Sequence, residues 1–314
     1  MSIPLILSSA IVSELPGEVT DWRGLSLEWI GHDGSIWDLN DPRGGLALYR
    51  KGVEGLHFPR ITKNSSTSRA IPGKRLRGWR AESRDVFWPV YLGGDGSDAW
   101  LERHSAFFDT IHPSLPGTWR VSAGDETRTL QLTGVFDDTH SYEIDPLLRG
   151  WALYDVTLEA AQPFWQGTRV RRGPWKAPET SPFFPGPPFR ISSSSAFGSA
   201  VVPNTGDVDA WGVWWATGPL TEIELGVGGA VIRPPFGLEA GEMLRIDTDP
   251  RHPTAQIGPA VTDTDDFVGV DITQDLGLQD YAPVPPGASV DLHVEATGSG
   301  AVMFDVTPLH FRAF

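Results

Sequence analysis

The chain has 314 residues, a length that suits two domains of ordinary size better than one. It holds no Cys, which excludes disulfides and thiolate metal sites; 35 Gly and 27 Pro break it too often for long helices, while 40% hydrophobic residues exclude low-complexity disorder. Its net charge of −15 is uneven: residues 1–190 carry 21 Lys and Arg against 23 Asp and Glu, residues 191–314 carry 4 against 17, and such a field repels nucleic acid and anionic lipid from the C-terminal part.

Ile3 to Val12 is apolar but short and lacks a basic flank. It reads as a first strand rather than a signal peptide, and no run is long enough to span a membrane. A soluble protein folded in the cytoplasm that makes it is the expectation. The next strand signals are Leu25–Ile30, Gly45–Tyr49, Val86–Leu92, Trp119–Ala123 and Thr127–Val135, following Leu5–Val12. Asp33-Gly34 between apolar stretches predicts a hairpin turn. One helix is predicted after Ser97 as N-cap, with Asp98 in its first turn. Its apolar stripe is Trp100, Leu101, His104, Phe107, Phe108 and Ile111, and Pro113 stops it.

Trp151 to Gly167 is the most informative segment. Ala152, Tyr154, Val156, Leu158 and Ala160 alternate with Asp155, Thr157 and Glu159, so a strand buries one face. Pro163 ends it, and Phe164-Trp165 are expected to pin the corner as two buried rings. Residues 1–168 thus form a first domain. Residues 169–195 hold Pro174, Pro178, Pro182, Pro185, Pro187 and Pro188 and then Ser192–Ser195, a composition expected to give an extended linker with no central strand. Residues 196–314 read as all-β. Ile223, Leu225 and Val227 alternate with Glu222 and Glu224; Val290, Leu292 and Val294 alternate with Asp291, His293 and Glu295; Thr297–Gly300 turns the chain into Val302, Phe304 and Val306. Short strands at regular spacing predict a β-sandwich. The 13 Trp suit core and corner packing or a protein interface.

No catalytic, cofactor or metal motif emerges: G-x-S-x-G, H-E-x-x-H and the P-loop are absent. Gly93-Gly94-Asp95-Gly96 precedes the helix, but Asp95 and Asp98 would repel a phosphate there. Asp263, Asp265 and Asp266 read as a solvated loop, since Gly269 comes late for a calcium loop. Asp247, Asp249 and His252 read as a turn bounded by Pro250 and Pro253. The eight His show no spacing that gathers ligands. A glycosidase would need two carboxyls at a set separation in a cleft, which no spacing here reveals.

One stretch stands apart. Arg60, Lys63, Arg69, Lys74, Arg75, Arg77, Arg80 and Arg84 face a single acid, Glu82, and enclose the loop-like run Asn64–Ser68. A solvated loop, a subunit-contact arm and a contact with passing DNA all use such charge. As an arm, Ile61 to Lys74 would be a long loop or hairpin anchored by an Arg77–Arg84 strand. Lys63, Arg69, Lys74, Arg75 and Arg77 are then the candidate intersubunit contacts.

Over its full length the chain resembles the siphovirus distal tail proteins (Dit), of the minor tail protein type found in phages of actinobacteria. The matching stretches in the first domain are Gly31–Ser35, Gly52–Leu56, Pro72–Gly78, Arg84–Tyr91, the Trp100–Ile111 helix, Pro116–Trp119 and the strand ending at Phe164-Trp165. In the second they are Val202–Asp207, Thr217–Pro219, Ala240–Glu242, Ile246–Thr248 and Pro285–Gly287. The resemblance implies a mainly β protein: a sandwich or barrel-like N-terminal tail domain carrying one helix, and a galectin-like C-terminal β-sandwich. It further implies a non-enzymatic virion protein, assembled in the host cytoplasm and placed at the tail tip. A homo-oligomeric ring, a hexamer, would join the tail tube to the hub and baseplate and contact receptor-binding proteins, with DNA only passing through and no cofactor. The sugar-binding pattern of galectins is missing, with no H-x-N-x-R and no W-x-x-E after the linker, so sugar binding does not carry over. A tail-tip module binding the host surface or carbohydrate through the C-terminal sandwich is the alternative.

Overall fold

The computed structural model describes residues 24–48, 52–136, 142, 144–176, 195–196 and 200–314. The strand expected at Leu5–Val12 and most of the Pro/Ser-rich stretch lie outside them. The chain forms two units, Met1–Gly167 with His310–Phe314, and Thr168–Leu309.

The first unit is an antiparallel sheet that curls on itself. Its strands run in the order Ile36–Asp38, Ser26–Ile30, Gly117–Ala123, Glu126–Val135, Trp151–Ala160, Arg84–Gly93, Leu46–Leu48, Asn40–Asp41. The two ends of that order are neighbours in sequence. Leu39 joins them: its N–H donates to Leu27 O and its C=O accepts from Leu48 N–H, both at 2.9 Å. Glu126–Val135 turns the corner, pairing first with Gly117–Ala123 and then with Trp151–Ala160. Trp151–Ala160 lies along the whole of Arg84–Gly93, and its alternation holds: Ala152, Tyr154, Leu158 and Ala160 are buried and Asp155 is exposed. The Asp33-Gly34 turn joins Ser26–Ile30 to Ile36–Asp38, with Gly34 at φ 85°, a conformation that suits glycine.

Inside the curl, Trp29, Trp88, Trp119 and Trp165 are fully buried in a row: Trp29 meets Trp88 and Trp88 meets Trp119 edge to face, with centroids 5.3 and 5.2 Å apart, and Trp165 lies tilted on Trp119 at 5.0 Å. Such pairs add about 0.5–1.5 kcal/mol each beyond area burial. Much of the tryptophan is therefore core. Phe164 corrects one expectation: it is half-buried, and Trp165 alone pins the corner, its Nε1 donating to Gly55 O at 3.2 Å.

The helix spans Ser97–Phe108 and buries Trp100 and Phe107, with Ile111 buried beyond it. Leu101 is half exposed and leaves the stripe. Ser97 is not the cap. Gly96 occupies that position, and Ser97 Oγ donates instead to Leu147 O at 2.7 Å. The helix also ends well before Pro113. Thr110 explains this: its hydroxyl donates to Phe107 O at 2.6 Å, competing with a further turn, and accepts Trp29 Nε1 at 2.8 Å.

The second unit is a sandwich of two antiparallel sheets around one core. One sheet orders Val170–Lys176, Ala301–Val306, Gly212–Thr217, Glu242–Asp247, Thr254–Pro259 and Val270–Asp271. The other orders Ser195–Ala196, Ser289–Gly298, Leu220–Val227 and Ala230–Ile232, with Ala200–Pro203 also on Ser289–Gly298. Trp214, Leu244, Ile246 and Phe304 of the first meet Ile223, Leu225, Leu292 and Val294 of the second. Asn204, buried, fixes the entry to the core. Its amide donates to Val208 O and Val284 O, and its Oδ1 accepts Gly206 N–H.

The boundaries differ from the sequence reading at both ends. Val170–Lys176 is a strand inside the expected linker, paired with Ala301–Val306. Pro174 is tolerated because the strand is at the sheet edge and its register shifts there. The last five residues belong to the first unit, where Ala313 is buried and donates its N–H to Leu56 O at 2.8 Å. A fragment 168–309 is therefore expected to melt cooperatively as a β protein. A fragment 196–309 lacks the edge strand and should melt at lower temperature, by several degrees for each 1 kcal/mol lost. Equal melting temperatures would show that Val170–Lys176 adds nothing to the sandwich.

Candidate functional site

The basic stretch forms a hairpin. Ile61–Ser68 pairs antiparallel with Ile71–Ala81, from Ile61 against Ala81 to Ser68 against Ile71, with two register shifts. The expected loop Asn64–Ser68 is thus a strand. Cross-strand backbone bonds hold it, which is why a run without apolar alternation can be extended. The expected Arg77–Arg84 anchoring strand is interrupted: Arg77 lies within Ile71–Ala81, which ends at Ala81, and Arg84 begins the next strand.

Among the described residues the hairpin is a two-stranded sheet joined to no other. An isolated hairpin of this kind is marginally stable at best in water, and both its outer edges offer unpaired backbone groups. Lys63, Arg69, Lys74, Arg75 and Arg77 are all exposed. Arg77 Nε donates to Ser66 Oγ at 3.1 Å and Arg80 forks onto Glu82 at 2.9 and 3.0 Å. Among the described residues no carboxylate pairs with Lys63, Arg69, Lys74 or Arg75. Leu76 and Trp79 are exposed too, 57% and 46%, so the hairpin presents apolar surface among its cations.

The base of the hairpin is fixed by a residue that composition grouped with the others. Arg84 is 2% exposed. Its Nε donates to Pro163 O at 2.7 Å, its Nη1 to Gly55 O at 2.5 Å and to His57 O, and its Nη2 to Phe311 O at 2.8 Å. Among the described residues no carboxylate pairs with it. Burial pushes its pKa down to about 10, so it stays charged at neutral pH. Phe311 in turn packs against Phe58, Trp79 and Phe164 with centroids 5.8–5.9 Å away. Arg84 is a structural clasp, and nothing in its sequence surroundings marks it off from Arg80.

The other candidates resolve into turns and ion pairs. Gly94 of the Gly93–Gly96 loop packs on the helix backbone so closely that a Cβ would lie 2.5 Å from Trp100 N, and Gly94 N–H donates to Gly150 O at 2.9 Å. Asp263 caps a short 3₁₀ turn, accepting Asp265 N–H at 3.1 Å, and Asp265 pairs with Arg169 at 2.7 Å. Asp247 pairs with Arg245, Asp249 with Arg251, and His252 N–H closes the turn on Asp249 O. One gathering was missed. Glu224, His293 and Glu295 bring ligand atoms within 4.8 Å of one another on the outer face of the second unit. Glu224 lies opposite Glu295 across the ladder, and His293 is two residues before it. The cross-strand pairing, absent from linear spacing, makes the group. Arg233 Nε lies 2.8 Å from Glu224 Oε1 and already supplies a cation there.

No protein-family model and no curated protein matches the sequence. Solved structures do match. The Dit protein of phage SPP1, described as a paradigm of the hub adsorption apparatus in phages infecting Gram-positive bacteria, aligns at 15% identity and a TM-score of 0.58, over 91% of this chain and 99% of its own. The phage P2 baseplate in its activated conformation aligns at 11% identity and TM-scores of 0.57 with Ca and 0.55 with Sr, over 91% of this chain and 98% of that one. The chain therefore has the fold of phage distal tail and baseplate proteins, along nearly its whole length.

Proposed function

We propose that this protein is a structural component of a phage tail tip, a distal tail ring adaptor. In this reading six copies close into a ring that joins the tail tube to the hub and baseplate, with DNA passing through its centre. Its partners are further copies of itself, the tube and hub proteins, and receptor-binding proteins of the baseplate. The protein is a virion component assembled in the host cytoplasm, and no residue is assigned a catalytic role. Among the described residues no helix is long and apolar enough to cross a membrane.

The observation that carries the reading is the match of both units, in order, to distal tail and baseplate structures. The hairpin supports the assembly. A two-stranded sheet with free edges, unpaired cations and exposed Leu76 and Trp79 is completed by a neighbour. Head-to-tail contacts of this heterologous type close into rings.

Native mass spectrometry over a concentration series should show a closed oligomer, with the hexamer dominant; a monomer at every concentration would count against the ring. The triple reversal Lys63→Glu, Arg69→Glu and Lys74→Glu should weaken assembly, most at low salt because exposed charge contacts are screened at higher ionic strength. The circular dichroism of the monomer should not change. Unchanged assembly at all salt concentrations would leave the hairpin a solvated projection.

A further inference from the structure

We propose that the basic hairpin of one copy docks on the outer face of the five-stranded sheet in the second unit of a neighbouring copy. The inference rests on the ring reading and names the surface that receives the arm. Charge complementarity between the two surfaces carries it: four exposed cations without a carboxylate on the hairpin, and an acidic sheet face in a half of the chain that holds 17 Asp and Glu against 4 Lys and Arg.

Strand register builds the receiving face. Glu222 and Glu224 alternate with the core residues Ile223 and Leu225, so both point outward. Glu295 lies directly opposite Glu224 on Ser289–Gly298. Like charges so placed destabilise a sheet. Arg233 answers one of them, donating to Glu224 from Nε at 2.8 Å and from Nη2 at 3.1 Å. Glu222 and Glu295 are exposed, and among the described residues no cation pairs with either. The other sheet differs: Asp247, Asp265 and Asp305 there each have a guanidinium partner at 2.7 Å. Residues 233–237 border the glutamates and leave a cleft of about 550 Å³, with Pro234, Pro235 and Phe236 as its apolar wall.

The hairpin offers the complement on one of its faces. Lys63 pairs with Trp79, Ser65 with Leu76 and Thr67 with Lys74. Directly opposed residues share a face, and alternate residues of a strand share it too. One face therefore carries Lys63, Trp79, Leu76 and Lys74, two lysines flanking two exposed apolar side chains. The opposite face is less free, because Arg77 donates to Ser66 and Arg80 to Glu82.

The two surfaces match in kind. Each sets charges of one sign beside exposed apolar groups, and the signs are opposite. Lysines suit such a contact, since a compact charge on a flexible stem reaches a carboxylate without a fixed fork. Trp79 and Leu76 would lie on Phe236 and the prolines, so the contact removes apolar surface from water as well as pairing charge. Each copy gives one arm and receives one. That is the heterologous contact that repeats around a ring.

The test uses the full chain. Glu222→Lys with Glu295→Lys is expected to raise the concentration for half-assembly about tenfold at low salt, and less at high salt. Adding Lys63→Glu and Lys74→Glu should restore assembly, because every contact is then reversed together with its partner. All four side chains are exposed, so the circular dichroism of each variant should match the parent. In a second arm, ¹⁴N and ¹⁵N chains are mixed dilute at high salt, concentrated at low salt and treated with a carbodiimide, which joins a lysine to a carboxylate in contact with it. Peptides linking Lys63 or Lys74 to Glu222 or Glu295 are expected, about half of them light–heavy pairs, the share that random mixing of two labels gives between copies. Links that are never light–heavy would place the contact within one chain and overturn the proposal. A ring that forms without these links, or a fourfold variant that assembles no better than the glutamate pair, would overturn the docking and leave the ring reading standing. A parent chain monomeric at every concentration would overturn both.

Discussion

Arg84→Ala is expected to destabilise the first unit by about 3–5 kcal/mol, because several carbonyls lose their charged donor at once and each buried acceptor left unpaired costs about 1–3 kcal/mol. The guanidinium serves four backbone carbonyls, those of Gly55, His57, Pro163 and Phe311. Those segments are far apart in sequence, so the loss loosens the hairpin base, the Pro163 corner and the C-terminal tail together. Arg84→Lys should recover little of it. A lysine keeps the charge but lacks the planar fork that reaches several carbonyls at once. With two units a single unfolding free energy is poorly defined, so local hydrogen exchange is the better measure. Peptides around Leu56, Trp165 and Ala313 should lose protection, while Gly212–Thr217 in the second unit keeps its own. Full protection around Trp165 and Ala313 in Arg84→Ala would refute the clasp. Deleting residues 310–314 should reproduce part of the effect, because Phe311 O and the buried Ala313 go with them.

Phe107→Ala should cost the same unit about 3–5 kcal/mol, the usual range for truncating a buried aromatic ring. Phe107 is 0% exposed and meets Trp37 edge-on at 5.6 Å. Phe108 is half-buried against His104 and Tyr154, at 4.8 and 4.9 Å, and its truncation should cost less. Arg103 lies off the apolar stripe, where sequence periodicity expects a near-neutral change. Its Nη1, however, donates to Gly93 O at the end of a core strand. Arg103→Ala should therefore cost about 1–3 kcal/mol for the carbonyl left unpaired. Denaturant melts of the three variants rank these losses; equal costs for Phe107 and Phe108 would show that the buried face is misassigned.

Local periodicity made several elements legible without any structure. Trp151–Ala160 and the helix with Trp100 and Phe107 bury the faces that their spacing assigns, because period-2 and period-3.6 patterns are set by backbone geometry and by which side must leave water. The Asp33-Gly34 turn was legible for the same local reason, a residue that accepts positive φ between two apolar runs. The Asn64–Ser68 run carried no such pattern, so its strand state was hidden: cross-strand pairing alone holds it.

By itself, then, the sequence determined which segments bury a face, where a helix fits, that the chain has two units, and that an unusual density of cations lies between Arg60 and Arg84. Tertiary structure alone decided what individual charged and aromatic groups do. Arg84 and Arg80 look alike in sequence, yet one is buried among four carbonyls and the other is exposed on Glu82. Glu224 and Glu295 stand together only through strand register, and Trp215 meets Arg245 the same way. The tail at His310–Phe314 returns to a unit left behind more than a hundred residues earlier. The physical reason is common to all four. Burial pattern is written in each residue's own neighbours along the chain, whereas the partner of a polar or aromatic side chain is supplied by segments distant in sequence, brought close only when the backbone hydrogen bonds are made.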